Sequence, residues 1–571
     1  MPRFKLTTLA PKLSGVLCAL VFASGQGRSA RAAAASDSSG VLVAPGYYGV
    51  ESFASAIPDS LGGAFVAFYG TGSAPFNFRE AVVARLGPDG LPVPGWSSAP
   101  VSGLYRFGGS FPGDEIREAV APAHPDAVWM VADWADVGQK YYLLVGANGP
   151  SQPETSGVAT RDQGQSVAVP LGNGRTLIQA GILSNTASLI VSVLDPTGVL
   201  DSSIPDVPLT GSGGPQNLVA IPDGTGGAIS VLGAFNTAGN TGADLMALRL
   251  SGGGAPMWSP AERVVTAAGR DQSEPRLCTD GTGGAYFVWT DKRNITLSSD
   301  VYALHLLPDG SIPPGWHTSG EPVASMPGDQ FQPRIAEDGR GGCWIVWTDS
   351  RSGENDIYYT RLGPGGTPAP GFPAGGRSLC AAAGGQITPQ IVADGTGGFF
   401  AAWIDDRAGE LNLYGQHIHS TGVVMPGWTP DGVALCTNPF PQSDPMLVLS
   451  APNRALAIWS DTRAVNPEYY AMVLPADGEI AGVSGTHVPG LEISRLGSGR
   501  DLEFTLLAPG TGAVRISLFD IAGRRIEEQL LGRGSGRQQV RFATDGLRPG
   551  LYLARARQDG EIAVSRSFLI R

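Results

Sequence analysis

One pattern, Trp-x-Asp-x-Arg at the end of an apolar run, occurs four times at a near-constant interval and restricts this chain more than any other feature. Its tryptophans are Trp289, Trp347, Trp403 and Trp459, separated by 58, 56 and 56 residues. Three copies follow an Asp-Gly-x-Gly-Gly segment beginning at Asp280, Asp338 or Asp394, and the fourth follows Asn453-Arg454. A fixed period of this length signals a repeat architecture, in which one unit cannot hide its apolar surface alone and must stack on the next.

Within the unit that starts at Asp338, the run Cys343-Trp-Ile-Val-Trp347 has no polar alternation, so both faces of that strand are expected to be covered. The glycines of Asp338 to Gly342 tolerate positive φ and mark a hairpin between a first strand, Pro333 to Glu337, and this second one. A third strand is expected at Asp356 to Leu362. After a turn and a Pro-Gly-aromatic segment, a short fourth follows at Arg377 to Ala381. Four strands per unit is what a β-propeller blade requires.

Weaker copies of the unit begin at Asp59, Pro125, Asn173 and Asp223. They bring the expected ring to about eight blades over residues 40–478, with seven as the alternative because the second and third copies are degenerate. Gly40 to Gly46 precedes the first hairpin as Arg377 to Gly384 precedes the Asp394 hairpin, whereas the last unit, ending near Gly478, lacks a fourth strand. Pairing the N-terminal strand into the last unit would complete it and remove two open sheet edges.

Residues 1–32 read as a secretory signal peptide: Arg3, Lys5 and Lys12 flank or precede the apolar stretch Leu13 to Ala23, and Ala30-Arg-Ala32 offers a cleavage site. No later stretch reaches the roughly 18 apolar residues of a membrane span. With 81 Gly, 45 Pro and only 16% charged residues, the remainder reads as all-β. Cys278, Cys343, Cys380 and Cys436 are expected to be buried free thiols, since Cys380 and Cys436 occupy the same place in consecutive units, too far apart to bridge.

After a linker at 479–490 the repeat stops. Short strands with turn signals between them fill 491–571, which fits a small Ig-like β-sandwich. The segment Val514-Arg-Ile-Ser-Leu-Phe-Asp-Ile-Ala-Gly-Arg-Arg-Ile526, with Gly546-Leu-Arg-Pro-Gly-Leu-Tyr552 and the terminal Phe568-Leu-Ile-Arg571, resembles the C-terminal module shared by FlgD-like Ig domains and type IX secretion (type A) sorting domains. The Asn-Pro-Phe entry turn usual in that family is absent. The resemblance implies export or bacterial cell-surface display, with secretion or surface-attachment machinery as the partner of this region. The N-terminal part resembles secreted β-propeller repeat proteins.

The formal net charge is −12; removing +5 for residues 1–32 and +4 for residues 491–571 leaves −21 for the segment between them. A segment that acidic argues against nucleic acid or anionic lipid as partners and leaves cations or, as protein or glycan ligands, basic proteins or neutral glycans.

Three repeated sets are candidate binding residues. Arg293, Arg351, Arg407 and Arg463 could grip a carboxylate-bearing ligand, in the way that sialidases use an arginine cluster on a propeller. Against this, a residue serving a single binding event has no reason to recur in every unit, and pairing with the neighbouring aspartates is the simpler account. Trp316 and Trp428, with Trp96 and Phe372 at the same position, offer rings for sugar stacking or, more simply, pegs between blades. Asp300, Asp356, Asn412 and Glu468 make calcium a minor alternative, although the spacing of a dedicated calcium loop is missing and no other cofactor is implied. His417 and His419 alternate and are expected to face solvent. Glu468-Tyr469-Tyr470 has the residue types of a sialidase nucleophile, but its first two members should point to opposite faces of their strand. No other catalytic constellation is present in the sequence, so a non-enzymatic, exported binding scaffold is the expected function. A sialidase-like glycoside hydrolase and a purely structural envelope component are the alternatives.

Overall fold

The computed structural model describes residues 40–43, most of 47–476 with 298–436 continuous, and the strands between 492 and 570. The signal peptide and the 479–490 linker lie outside the described residues, as does most of the turn before Gly550. All described secondary structure is β apart from turns, and no described helix is long and apolar enough to cross a membrane.

The unit around Trp347 is an antiparallel meander of Gln330–Glu337, Cys343–Asp349, Asp356–Leu362 and Arg377–Cys380. Its first strand starts three residues earlier than the alternation suggests, at Gln330, because a bulge between Phe331 and Arg334 interrupts the pairing without ending it. Every residue of the second strand is buried, as an apolar run without alternation requires. In the hairpin, Asp338 Oδ1 accepts the backbone N–H groups of Arg340 (2.7 Å) and Gly342 (2.8 Å). A Cβ on Gly342 would lie 2.3 Å from the Leu362 carbonyl oxygen, so only glycine fits where the third strand crosses this turn.

Among the described residues, seven sheets of four or five strands between Val41 and Pro475 form blades of a β-propeller. Another, Tyr47–Pro58 with Ala64–Gly72 and Arg79–Leu86, has three among the described residues. The first strand of each sheet packs against the first strand of the next, and Gln442–Ala451 of the last sheet packs against Tyr47–Pro58, which closes the ring. Buried side chains interlock from sheet to sheet: Ile229, Phe287 and Ile345, from three successive sheets, share one core cluster.

The N-terminal strand Val41–Leu42 pairs antiparallel with Glu468–Pro475, with Val41 opposite Ala471, and so supplies the last sheet's outer strand. Gly40 shows how closely the borrowed strand copies a native one. A Cβ there would sit 2.3 Å from the Trp459 ring, just as Cβ atoms on Gly320, Gly376 and Gly432 would sit 2.4 Å from Trp289, Trp347 and Trp403.

The C-terminal strands form two sheets, Glu492–Leu496 with Leu502–Ala508 and Gly536–Phe542, and Arg525–Leu531 with Val514–Asp520, Gly550–Gln558 and Glu561–Ile570. Val514, Ile516, Leu518, Val540, Phe542 and Ala554 are buried there.

Candidate functional site

Each repeated arginine is held by its own sheet. Arg293, Arg351 and Arg407 fork onto Asp291, Asp349 and Asp405 through Nε and Nη2, and Arg463 reaches Asp461 through Nη2 alone; all four aspartate side chains are fully buried. The tryptophan two residues before the aspartate donates Nε1–H to the same carboxylate in three sheets: Trp289 at 2.7 Å, Trp347 at 2.8 Å and Trp403 at 3.0 Å. The guanidinium also lies over the ring of Tyr302, Tyr358, Tyr414 or Tyr470, 3.7–4.1 Å from its centroid. In three of the sheets an Nη donates to a backbone carbonyl just before the fourth strand, that of Ser319, Gly375 or Asp431. The donors that would grip a ligand are thus engaged in tying the second strand to the third and fourth.

Trp316 and Trp428 are 7% and 5% exposed, and their Nε1–H groups donate to the carbonyls of Pro364 (2.8 Å) and Ala476 (3.1 Å) in the following sheet. Their rings are pegs between blades and present no open face for stacking a sugar. Asp300, Asp356, Asn412 and Glu468 sit opposite Asp291, Asp349, Asp405 and Asp461 in the ladder. Burial raises the carboxyls of Asp300, Asp356 and Glu468 above their usual range. Among the described residues no group of three or more His, Cys, Asp and Glu side chains is placed to hold a metal ion. The Tyr470 hydroxyl donates to Glu468 at 3.0 Å, a pairing within one strand.

His417 corrects the expectation of a solvent-facing pair. It is fully buried, stacks on Phe400 with centroids 3.9 Å apart, and its Nε2 lies 3.0 Å from Asp394 Oδ2. His419 lies past the strand end, in the turn, with Nδ1 2.9 Å from Thr421 Oγ1. The burial of His417 belongs to a second repeated pairing, in which the hairpin aspartate takes a basic residue from the end of the third strand: Asp59–Arg85, Asp223–Arg249, Asp280–His305, Asp338–Arg361 and Asp394–His417. An Arg-Leu, His-Leu or His-Ile pair closing each third strand is the sequence signal for it. The four cysteines are free and buried; burial pushes the Cys436 thiol up to about 11 and the Cys380 thiol up to about 12.

The axis is different. At the bulge of successive first strands, Asn217, Glu274, Gln332, Thr388 and Asp444 all have φ between 50° and 53°, a conformation that costs on the order of 1–3 kcal/mol for a non-glycine residue. Side chains at these bulges link consecutive sheets. Glu274 Oε2 accepts the Gln332 N–H (2.9 Å) and the Thr290 hydroxyl (2.8 Å); Gln332 Oε1 accepts the Thr388 N–H (3.0 Å) and the Thr348 hydroxyl (3.2 Å). The relay stops at Thr388, whose side chain is too short to continue it and whose sheet carries Ile404 where the others carry Thr290 and Thr348. Thr388 Oγ1 is buried with no hydrogen-bond partner among the described residues.

A cavity of ≈ 520 Å³ opens at this break, lined by residues of four successive first strands, among them Arg276, Arg334, Thr388, Gln390, Asp444 and Met446. Arg276 donates to its neighbour's carbonyl, Pro275 O, at 2.7 Å; Arg334 donates to Pro333 O at 3.0 Å and to Gln390 Oε1 at 3.2 Å. Neither forms an ion pair with a described carboxylate. Burial, with the positive charge of Arg276 close by, brings the Arg334 guanidinium down to about 9.

The sequence signal for this site is a departure from repetition. Gln272-Ser-Glu-Pro, Gln330-Phe-Gln-Pro, Gln386-Ile-Thr-Pro and Gln442-Ser-Asp-Pro share their glutamine and proline, and the residue that follows changes from Arg276 and Arg334 to Gln390 and Met446. The glutamine is structural: in all four sheets its amide donates to backbone carbonyls of the preceding turn. The variable position lines the cavity.

The sequence matches no protein-family model and no curated protein. Among solved structures it is similar to a TolB-like protein from Agrobacterium tumefaciens, at 16% identity over 56% of this chain and 95% of that one, TM-score 0.27. It is similar also to the α-L-arabinofuranosidase Arb93A from Fusarium graminearum, at 9% identity over 64% of this chain and 94% of that one, TM-score 0.32. A further likeness is to dipeptidyl peptidase 4 from Porphyromonas gingivalis, at 9% identity over 81% of this chain and 64% of that one, TM-score 0.39. At such values these likenesses say nothing about ligand or activity.

Proposed function

We propose that this chain is an exported, non-catalytic β-propeller that binds a ligand on its axis. In this reading the ring has eight blades over residues 40–478 and is followed at 491–571 by an Ig-like domain of the FlgD or sorting type. The three-stranded sheet counts as the eighth blade because its first strand packs between the first strands of two neighbours, as in every other blade. Residues 1–32 act as the signal peptide, and the C-terminal region serves secretion or attachment at a bacterial surface; the residues that carry the family resemblance and the two C-terminal sheets support this.

The observation that carries the binding reading is the contrast between polar groups that recur from sheet to sheet and polar groups that do not. Repeated aspartates and arginines form an ion pair in each of four sheets, joined by the tryptophan in three, whereas the axial cavity gathers non-repeated Arg276, Arg334, Gln390 and Asp444, whose arginines bond neutral acceptors only. A glycoside hydrolase would need two carboxylates flanking the scissile bond. Here Asp444 lines the cavity, and one oxygen of nearby Glu274 is engaged by Thr290 and Gln332. The sialidase-like alternative has one feature in its favour, Tyr470 bonded to Glu468 beneath Arg463. The same Tyr–Arg stacking recurs at Tyr302, Tyr358 and Tyr414, which makes it a repeat element. A purely structural role accounts for the bond from Arg334 to Gln390 of the next sheet but not for Arg276, whose hydrogen bond goes to its own neighbour's carbonyl.

The test is to incubate the mature chain with a panel of 4-nitrophenyl glycosides, including the glucuronide and the sialoside, and to screen the same preparation on a glycan array. Saturable binding without nitrophenol release is the expected result. Turnover abolished by Arg334→Gln would overturn the non-catalytic reading.

A further inference from the structure

The geometry points to a carboxylate site: we infer that Arg276 and Arg334 together receive the carboxylate of a small hydroxylated acid, of the hexuronate class, in the axial cavity, while Asp444 accepts hydrogen bonds from its hydroxyl groups. This inference rests on the reading of the axis as the binding face and adds the chemistry of the ligand.

A guanidinium carries five N–H donors in a planar fork, matched to the two oxygens of a carboxylate. Arg293, Arg351 and Arg407 satisfy that geometry internally, and Arg463 pairs with Asp461 through one Nη. Arg276 and Arg334 do not: their hydrogen bonds go to two proline carbonyls and one amide oxygen, all neutral acceptors. Two half-buried like charges side by side lower each other's stability, and a shared anion would relieve both. Glu274, the acid whose charge acts on both arginines, has one oxygen committed to the Gln332 amide and the Thr290 hydroxyl.

The surroundings of the two arginines narrow the ligand further. Thr388 Oγ1, buried and without a partner, lines the same cavity and offers a third polar contact. Asp444, from the sheet two further round the ring than Arg334, gives the cavity an acceptor on another wall. A ligand that satisfies both walls has a carboxylate at one end and donors at the other. Ile335, Ile391 and Met446 supply apolar surface for its carbon frame. The volume, ≈ 520 Å³, suits a molecule of one or two sugar residues. The segment's net −21 is compatible with an acidic ligand because the two guanidiniums make a local positive focus, which would favour a small anion over an extended polyanion.

The experiment is isothermal titration calorimetry of the mature full chain with glucuronate, glucose, succinate and digalacturonate. Glucuronate is expected to bind saturably, at least about tenfold more tightly than glucose and than succinate. Digalacturonate binding as well as or better than glucuronate assigns the site to an acidic glycan end, and weaker digalacturonate binding assigns it to a free sugar acid; both fit the inference. Arg334→Gln should weaken glucuronate by about tenfold or more. Gln390→Glu, which places a carboxylate beside Arg334 Nε and adds an ion pair to the fold, should weaken it similarly while leaving thermal stability intact. Glucose binding as tightly as glucuronate, no glucuronate binding, or unchanged affinity in the Gln390→Glu protein would each overturn the carboxylate site. Succinate equalling glucuronate would overturn the role of Asp444. Release of nitrophenol from the glucuronide together with Arg334-dependent glucuronate binding would sink the non-catalytic reading and leave the carboxylate site standing.

Discussion

Arg351 and Arg334 lie in the same sheet and carry the same charge, yet the sheet treats them in opposite ways. Arg351 forks onto a fully buried aspartate, stacks on Tyr358 4.1 Å from its centroid and reaches the carbonyl of Gly375; three further sheets repeat its aspartate ion pair and tyrosine stacking. Arg334 bonds neutral groups alone, and its equivalents in the next two sheets are Gln390 and Met446. In a stacked repeat every unit must solve the same packing problem, so a residue that solves it recurs. A ligand bound at the centre of a ring would sit there once and be met by one-off residues. Repetition therefore marks architecture, and departure from repetition within an otherwise repeated stretch marks the binding candidates.

The largest effect expected from this contrast is at the repeated position. Asp349→Ala removes the acceptor of Trp347 Nε1–H and of the Arg351 fork, leaving a buried donor and a guanidinium uncompensated. The cost should be about 3–5 kcal/mol of unfolding free energy, read from urea denaturation. A loss below about 1 kcal/mol would mean that the repeated arginines are not structural, and the contrast with the axis would fail.

Ring closure is the next largest. Gly40, at φ 76°, takes the place that Gly376 holds in the Trp347 sheet, and a Cβ there would meet the Trp459 ring at 2.3 Å. Gly40→Ala should cost about 1–3 kcal/mol, by the strain of a left-handed alanine and by displacement of a core ring. Loss of the same size in Gly376→Ala would show that a strand borrowed from the chain's beginning is held as firmly as a local one. A much smaller loss at Gly40 would mark the seam as the weak point of the ring.

Much of this architecture is legible in the sequence, and the reasons differ from element to element. The Trp period, the Asp-Gly-x-Gly-Gly hairpins and the missing last outer strand can be read directly, because each follows from a local rule: apolar patterning, turn chemistry or strand count. His417 was misread because alternation along a strand fixes a side chain's face but not which face is covered; in a propeller both are, and its partner Asp394 is 23 residues away. The axial cavity is not legible in the repeat, because the residues that line it are the ones that differ between units. Arg276 and Arg334 are separated by 58 residues and line one cavity because their first strands, each bulged just before the arginine, pack side by side. Blade count and the role of residues 491–571 depend on relations between units that no single motif encodes.

At the axis, stability should hardly respond to substitution. Arg334→Gln removes a guanidinium that has no ion pair among the described residues, so the unfolding free energy should stay within about 1 kcal/mol of the parent or rise. Differential scanning calorimetry beside Asp349→Ala makes the comparison direct. Comparable destabilisation by the two substitutions would return Arg334 to the structural class and remove the strongest argument for an axial ligand.

The smallest effect separates sheets that close the hairpin pairing with histidine from those that use arginine. His305 Nε2 lies 3.0 Å from Asp280 Oδ2, and the ring stacks on Tyr286 with centroids 4.0 Å apart. Burial holds the imidazole below its usual 6.5, a shift that the hydrogen bond and charge of Asp280 only partly offset. Between 6.5 and that lowered value the unfolded chain binds a proton that the folded chain refuses. The stability His305 contributes is therefore complete above 6.5 and is lost as pH falls through the window. Asp280 acts lower down. Burial pulls its carboxyl upward, but hydrogen bonds from His305, Thr282 and Gly284 hold it below the usual 3.8, so its contribution is present above 3.8 and lost as pH falls further. Arg361, opposite Asp338 in the next sheet, stays charged throughout. His305→Arg should accordingly flatten the decline in melting temperature between pH 7 and pH 5. An unchanged slope would mean that histidine and arginine are interchangeable at this position and that the pairing, whatever its basic member, carries no pH dependence of its own.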